Sequence, residues 1–66
     1  MIERGIKIMY IMINYYHTLY KKDVTELTNK VEFTTASNGM PCVHFAAGGR
    51  RYEIECKYVK RIEAAE

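Results

Sequence analysis

Alternation of apolar and polar residues dominates the second half of the chain. Three runs rich in Val, Ile, Phe, Tyr and Thr, at 30–36, 40–47 and 50–61, are separated by Ser37-Asn38-Gly39 and by Gly48-Gly49. That is the pattern of a three-stranded antiparallel meander. Residues paired across an antiparallel ladder share a face, so the turns can be tested against the apolar positions. A two-residue Gly48-Gly49 turn pairs Ala47 with Arg50, Phe45 with Tyr52, Val43 with Ile54 and Pro41 with Cys56. A two-residue Asn38-Gly39 turn would mix the faces. A three-residue Ser37-Asn38-Gly39 loop with Gly39 left-handed instead sets Phe33 against Val43 and Val31 against Phe45. One face then carries Val31, Phe33, Val43, Phe45, Tyr52, Ile54, Cys56 and Tyr58. The other carries Glu32, Thr34, Cys42, His44, Arg51, Glu53, Glu55, Lys57 and Arg61.

The first half has a looser pattern. Ile2, Ile6, Met9, Ile13, Tyr16 and Tyr20 approach a heptad spacing, but Gly5 and the density of Ile and Tyr favour one long or bent strand over 6–20. Val24, Leu27 and Val31 recur at helical spacing, and Asp23 stands three residues before Glu26 as a capping box requires, which predicts a short helical turn over 24–29. The expected fold is mainly β: an antiparallel four-stranded meander sheet with at most one short helical turn.

Length turns this pattern into an argument about assembly. A chain of 66 residues, read as one domain over 1–66, buries only about 60% of the surface its unfolded form exposes. A single sheet with one apolar face and little chain left to cover it predicts a homo-oligomer, a dimer or tetramer, assembling through sheet contacts with the Tyr-rich first strand as the seam. The apolar run at 8–13 is far shorter than a bilayer span and leads into Asn14 without a small-residue cleavage site, so neither a membrane segment nor a signal peptide is expected. A cytoplasmic location follows as the default. Met9 and Met12 are in-frame methionines, which makes 1–11 readable as an extension or an alternative start.

Composition adds little until the charges are placed. Ten Lys and Arg against eight Asp and Glu give a net charge of +2, which permits an acidic partner without demanding one. Lys21 and Lys22 cluster at one turn and Arg50 and Arg51 at another, while Lys57, Lys60 and Arg61 accompany Tyr58 along the last run. Six of the eight aromatic residues are Tyr, a side chain suited equally to a wet-edged small core and to stacking on bases. Tyr interleaved with Lys and Arg is the physical recipe for single-stranded nucleic acid, but Glu53, Glu55 and Glu63 partly neutralise the patch, and a solvated mixed-charge face fits the composition at least as well.

Four groups invite site chemistry. The row Glu32, His44 and Glu53, with Cys42 and Glu55 beside it, contains divalent-metal ligand types but lacks structural zinc spacing, so a cross-strand Glu–His pair is the preferred reading. Asp23 and Glu26 beside Lys21 and Lys22 read either as a magnesium site of nuclease type or as a helix cap, with the cap favoured. His17 is expected to pack beside Tyr16 rather than act as a base. Cys42 and Cys56 point to opposite faces, so they are expected as free thiols, with Cys56 in the core.

The segments at 31–45, VEFTTASNGMPCVHF, and 48–56, GGRRYEIEC, resemble the sheet of the transcriptional-coactivator and Whirly type of single-strand DNA-binding proteins. More particularly, they resemble a group of very short anti-CRISPR proteins of phages and mobile elements from gut bacteria, over about residues 12–62. The resemblance implies a DNA-binding homo-oligomer, in a bacterial host cell, that nicks supercoiled DNA. Nicking would relieve the negative torsion that helps a CRISPR effector open its target. It nominates Asp23 for nicking, with magnesium as helper, and Lys21, Lys22, Arg50, Arg51, Lys57, Tyr58, Lys60 and Arg61 for nucleic-acid contact. The coactivator type follows its strands with a long helix, for which 62–66 leaves no room. The competing expectation is a protein-binding inhibitor or structural module that adds an edge strand to a partner without nucleic acid.

Overall fold

In the computed structural model, which describes residues 9–65, six strands and one 3-10 turn form two three-stranded antiparallel sheets. The strands are β1 (Tyr10–His17), β2 (Lys22–Thr28), β3 (Val31–Thr35), β4 (Pro41–Ala47), β5 (Arg50–Glu55) and β6 (Val59–Ala65), and the turn Cys56–Tyr58 separates β5 from β6. One sheet has the order β2-β1-β6, the other β3-β4-β5. The mainly-β expectation holds, but the single four-stranded meander does not.

The meander of the second half forms as its alternation dictates. Val31 pairs with Phe45 and Phe33 with Val43, and across the other edge of β4, Phe45 pairs with Tyr52 and Val43 with Ile54. The β3–β4 connection is closed by Ala36 N–H donating to Met40 O at 2.8 Å, with Gly39 at φ +85° and the Asn38 side chain accepting from Met40 N–H. Gly48 and Gly49 both have positive φ, at +58° and +79°, the backbone of a two-residue primed turn that only glycine takes without strain. The expected pairing of Pro41 with Cys56 lies past the ladder's end, because β5 stops at Glu55, opposite Cys42.

Three expectations fail for one shared reason: the core is built between two sheets. The predicted 50–61 strand breaks at Cys56–Tyr58, where the chain leaves the edge of β5 and crosses to pair with β1. The predicted helical turn at 24–29 is strand β2, whose Val24 and Thr28 share the inward face while Leu27 points outward. Its Val and Thr residues suit a strand, and the open edge of β1 supplies a ladder that helical spacing cannot reveal. The predicted 6–20 strand runs only from Tyr10 to His17, its first residues lying outside those described, and turns back through residues 18–21.

The core explains the closure. Ile13 and Tyr15 of β1 meet Val43, Phe45 and Ala47 of β4, all buried, with Ile11, Val24, Val31, Tyr52, Ile54, Cys56 and Val59 packed around them. Tyr15 stands edge-on to Phe45 at 6.3 Å between centroids, and Phe45 stacks on Tyr52 at 5.0 Å. The apolar face expected to be bare is thus covered by β1 of the same chain at Val43, Phe45 and their neighbours, while Phe33 on the edge strand stays exposed. Since β1 is the central strand of its sheet, paired on both sides, its backbone is not available as a seam between subunits.

Chain segments join the sheets at both corners. Between β2 and β3, Thr28 is buried and its hydroxyl donates to Lys30 O at 3.2 Å, fixing the bend at which the chain changes sheet. On the other side β6 carries a bulge: Asn14 pairs with Arg61 but Tyr15 with Val59, so Lys60 is the extra residue.

Candidate nucleic-acid interface and the neighbouring cleft

The β1–β2 turn is built from side chains that the strands leave at their ends. Lys21 takes φ +56°, the only positive φ among the described residues other than glycine, and its N–H donates to His17 O at 2.7 Å. A lysine held left-handed costs about 1–2 kcal/mol against an ordinary conformation. Tyr20 N–H donates to His17 Nδ1 at 3.2 Å, and the two rings stack at 4.1 Å and 10°. Tyr20 is nevertheless 64% exposed, and the Lys22 ammonium lies 6.0 Å from its centroid. The turn therefore offers a preoriented aromatic ring flanked by two lysines that have no ion pair among the described residues.

The other expected contact residues are divided. Lys60 holds Asp23 at 3.2 Å to each carboxylate oxygen, Arg61 pairs with Glu63 at 3.2 Å, and Lys57 with Glu55 at 3.5 Å. The first two are solvated pairs, each worth at most about 1 kcal/mol, while Lys57 reaches a Glu55 oxygen, Oε1, that is itself buried. Arg50 and Arg51 follow the Gly48–Gly49 turn, where Arg51 borders a shallow cavity of about 380 Å³ together with Lys30, Glu32, His44, Tyr52 and Glu53. The structure brings Lys21 and Lys22 together, with Lys60 tied to the neighbouring Asp23, and leaves Arg50 and Arg51 at a separate hairpin.

Asp23 and Glu26 do not converge. Asp23 pairs with Tyr16 and Glu26 with Ile13 along β2, and residues three apart on a strand face opposite sides. The helix cap is equally absent, since both residues lie within a strand. The row Glu32, His44 and Glu53 is aligned as the register requires, with His44 Nε2 at 3.0 Å from Glu53 Oε2 and Lys30 at 3.3 Å from Glu32. No cluster of three metal-ligand side chains occurs among the described residues.

Both thiols are free, but their burial is reversed from expectation: Cys42 is buried and Cys56 half-buried at the rim of the core. Burial first, then the Glu53 and Glu55 carboxylates, pushes the Cys42 thiol up and keeps it protonated.

A feature missed in the sequence lies between the end of β1 and the β5–3-10 corner. Tyr15, Tyr16, His17, Thr18, Glu53, Ile54, Glu55 and Tyr58 line a cleft of about 210 Å³. Tyr58, expected on the apolar face and nominated for nucleic-acid contact, lines this cleft together with two glutamates. One oxygen of Glu55, Oε1, is buried without a hydrogen bond among the described residues. No described helix is long and apolar enough to cross a membrane. No family model, curated protein or solved structure matches the chain.

Proposed function

We propose that the protein binds single-stranded nucleic acid through the β1–β2 turn, with Lys21 and Lys22 following the phosphates and Tyr20 stacking on a base. The observation that carries this reading is the exposed Tyr20 ring, fixed on His17 and flanked by two lysines with no ion pair among the described residues, one of them in a strained backbone conformation. Strain of this kind concentrates where side-chain placement matters. Lys60 adds a third cation when Asp23 releases it. Arg50 and Arg51 supply a second, separate contact for a longer strand, and Arg61 and Lys57 a weaker one because each already faces a carboxylate.

The nicking implied by the resemblance rests on Asp23 alone, whose carboxylate is engaged by Lys60 and separated from Glu26 by the thickness of β2. Binding is therefore the core of the proposal, and a magnesium-dependent nick is its extension. Self-association belongs to the same reading through β3, an edge strand that exposes Glu32 to Thr35 and leaves Phe33 71% exposed.

Fluorescence anisotropy with a labelled single-stranded oligonucleotide across a salt series tests the binding. The expected result is affinity that falls steeply as salt rises. Absence of binding at low salt overturns the proposal. Capture of a protein partner with little salt dependence would favour edge addition instead. Supercoiled plasmid with magnesium reads the nicking extension, and anti-CRISPR action depends on that nick appearing.

A further inference from the structure

We propose that the cleft between the end of β1 and the β5–3-10 corner binds an alkylammonium head group, the chemistry shared by a methylated lysine side chain and a free quaternary ammonium. The cavity, at about 210 Å³, is smaller than the several hundred Å³ of a drug-sized site and suits a head group. Its lining combines three tyrosines, the half-buried Tyr16 and Tyr58 and the core residue Tyr15, with Glu53 and Glu55. Ring faces and carboxylates both favour a cation, and the rings favour one that sheds its water cheaply.

Two observations within the protein bear on that preference. The Lys57 ammonium already stands 5.3 Å from the Tyr58 centroid and 3.5 Å from Glu55 Oε1, placing a cation between a ring and a carboxylate beside the cleft. At 3.5 Å this is an ion-pair contact, and the buried Oε1 retains an unmet hydrogen-bonding capacity. Glu53 is partly satisfied by His44 at 3.0 Å, which makes Glu55 the principal anion. A divalent metal is the poorer occupant, because the walls offer two carboxylates and rings rather than six or more hard oxygen ligands. An anion would meet both carboxylates, so this site is distinct in sign from the proposed nucleic-acid contact.

The test titrates the full chain with tetramethylammonium chloride against sodium chloride at equal ionic strength, following tyrosine ring signals by NMR. A parallel arm uses a peptide bearing trimethyllysine and its unmodified counterpart. The expected result is a saturable shift of the Tyr15, Tyr16 and Tyr58 rings that sodium does not reproduce. Glu55→Gln should weaken it about tenfold, the order expected of a cation held by ring and carboxylate. Lys57→Ala should strengthen it severalfold by removing the competing ammonium, and this arm decides alone if the Glu55 variant fails to fold by circular dichroism. Response to the methylated peptide but not the plain one assigns a protein side chain as the source. Response to tetramethylammonium alone assigns a free ammonium. Inert rings in both arms, or weakening by Lys57→Ala, overturn the proposal.

Discussion

The β1–β2 turn and the cleft beside it use the same aromatic residue to opposite ends. At the turn, Tyr20 rests on His17 with Lys22 over it; in the cleft, Tyr15, Tyr16 and Tyr58 share the lining with two glutamates. Both regions grow from the last residues of β1, so their difference owes little to the scaffold. A tyrosine ring gives a polarisable face and leaves the sign of the ligand to its neighbours. Lysines make it a platform for bases along a phosphate chain, and carboxylates make it a wall for cations. Two such sites of opposite sign would limit each other, since an anionic strand laid on the turn would be repelled from the cleft.

The strongest way to break this comparison is to reverse the charge of one partner. Lys21→Glu with Lys22→Glu is expected to lower oligonucleotide affinity by about a hundredfold at low salt, while leaving the tetramethylammonium isotherm in place. Equal loss of both activities would mean one surface rather than two. Removing the ring instead, Tyr20→Ala should cost about 1–3 kcal/mol of oligonucleotide binding in the same anisotropy measurement and leave the salt slope unchanged.

A smaller effect separates the two roles of Asp23. If its carboxylate only tethers Lys60, Asp23→Asn frees a cation and raises oligonucleotide affinity by about two- to fivefold. A catalytic role predicts the loss of magnesium-dependent plasmid nicking at unchanged affinity, read on an agarose gel.

The smallest expected effect concerns pH. Burial, then the Glu26 charge, raises the Tyr15 phenol, as burial and two glutamates raise the Cys42 thiol. Both groups bind protons more tightly folded than unfolded, so the stability they add is complete below the ordinary thiol range. It is lost as pH rises, first through about 8.5, where the unfolded thiol ionises, and then through about 10 for the phenol. Thermal melts should show a falling Tm above about pH 9, and a thiol reagent at neutral pH should modify Cys56 well before Cys42.

How much of this was legible in the sequence depends on where the turns are written. Gly39, Gly48 and Gly49 announce the loops of the second sheet, and the alternation of Val43, Phe45, Tyr52 and Ile54 fixes its register. The first sheet has no such markers. Its hairpin turns on Lys21, a residue that gives no warning of a left-handed backbone, and β2 hides its strand period by placing Glu26 inward and Leu27 outward. The pairing of Ile13 with Ile62 joins distant parts of the chain and leaves no local trace. The same holds for the sites. Lys21 and Lys22 are neighbours in sequence and were visible as a cluster, whereas the cleft joins residues 15–18 to 53–58 and exists only once β6 has crossed over.

The extra residue in β6 has a consequence for how this chain tolerates length changes. If β6 ran on without the bulge, Tyr15 would oppose Lys60, placing an ammonium in the core, while Val59 would move outward beside Tyr16. Deleting the single codon for Lys60 would keep every pairing of the ladder but remove the bend that the bulge gives β6, pulling on the 3-10 corner that holds Tyr58. Substitution of Lys60, by contrast, leaves the backbone spacer in place and costs the fold only a solvated ion pair. The position is permissive toward identity and intolerant of removal: its backbone is a spacer that keeps two sheets in phase.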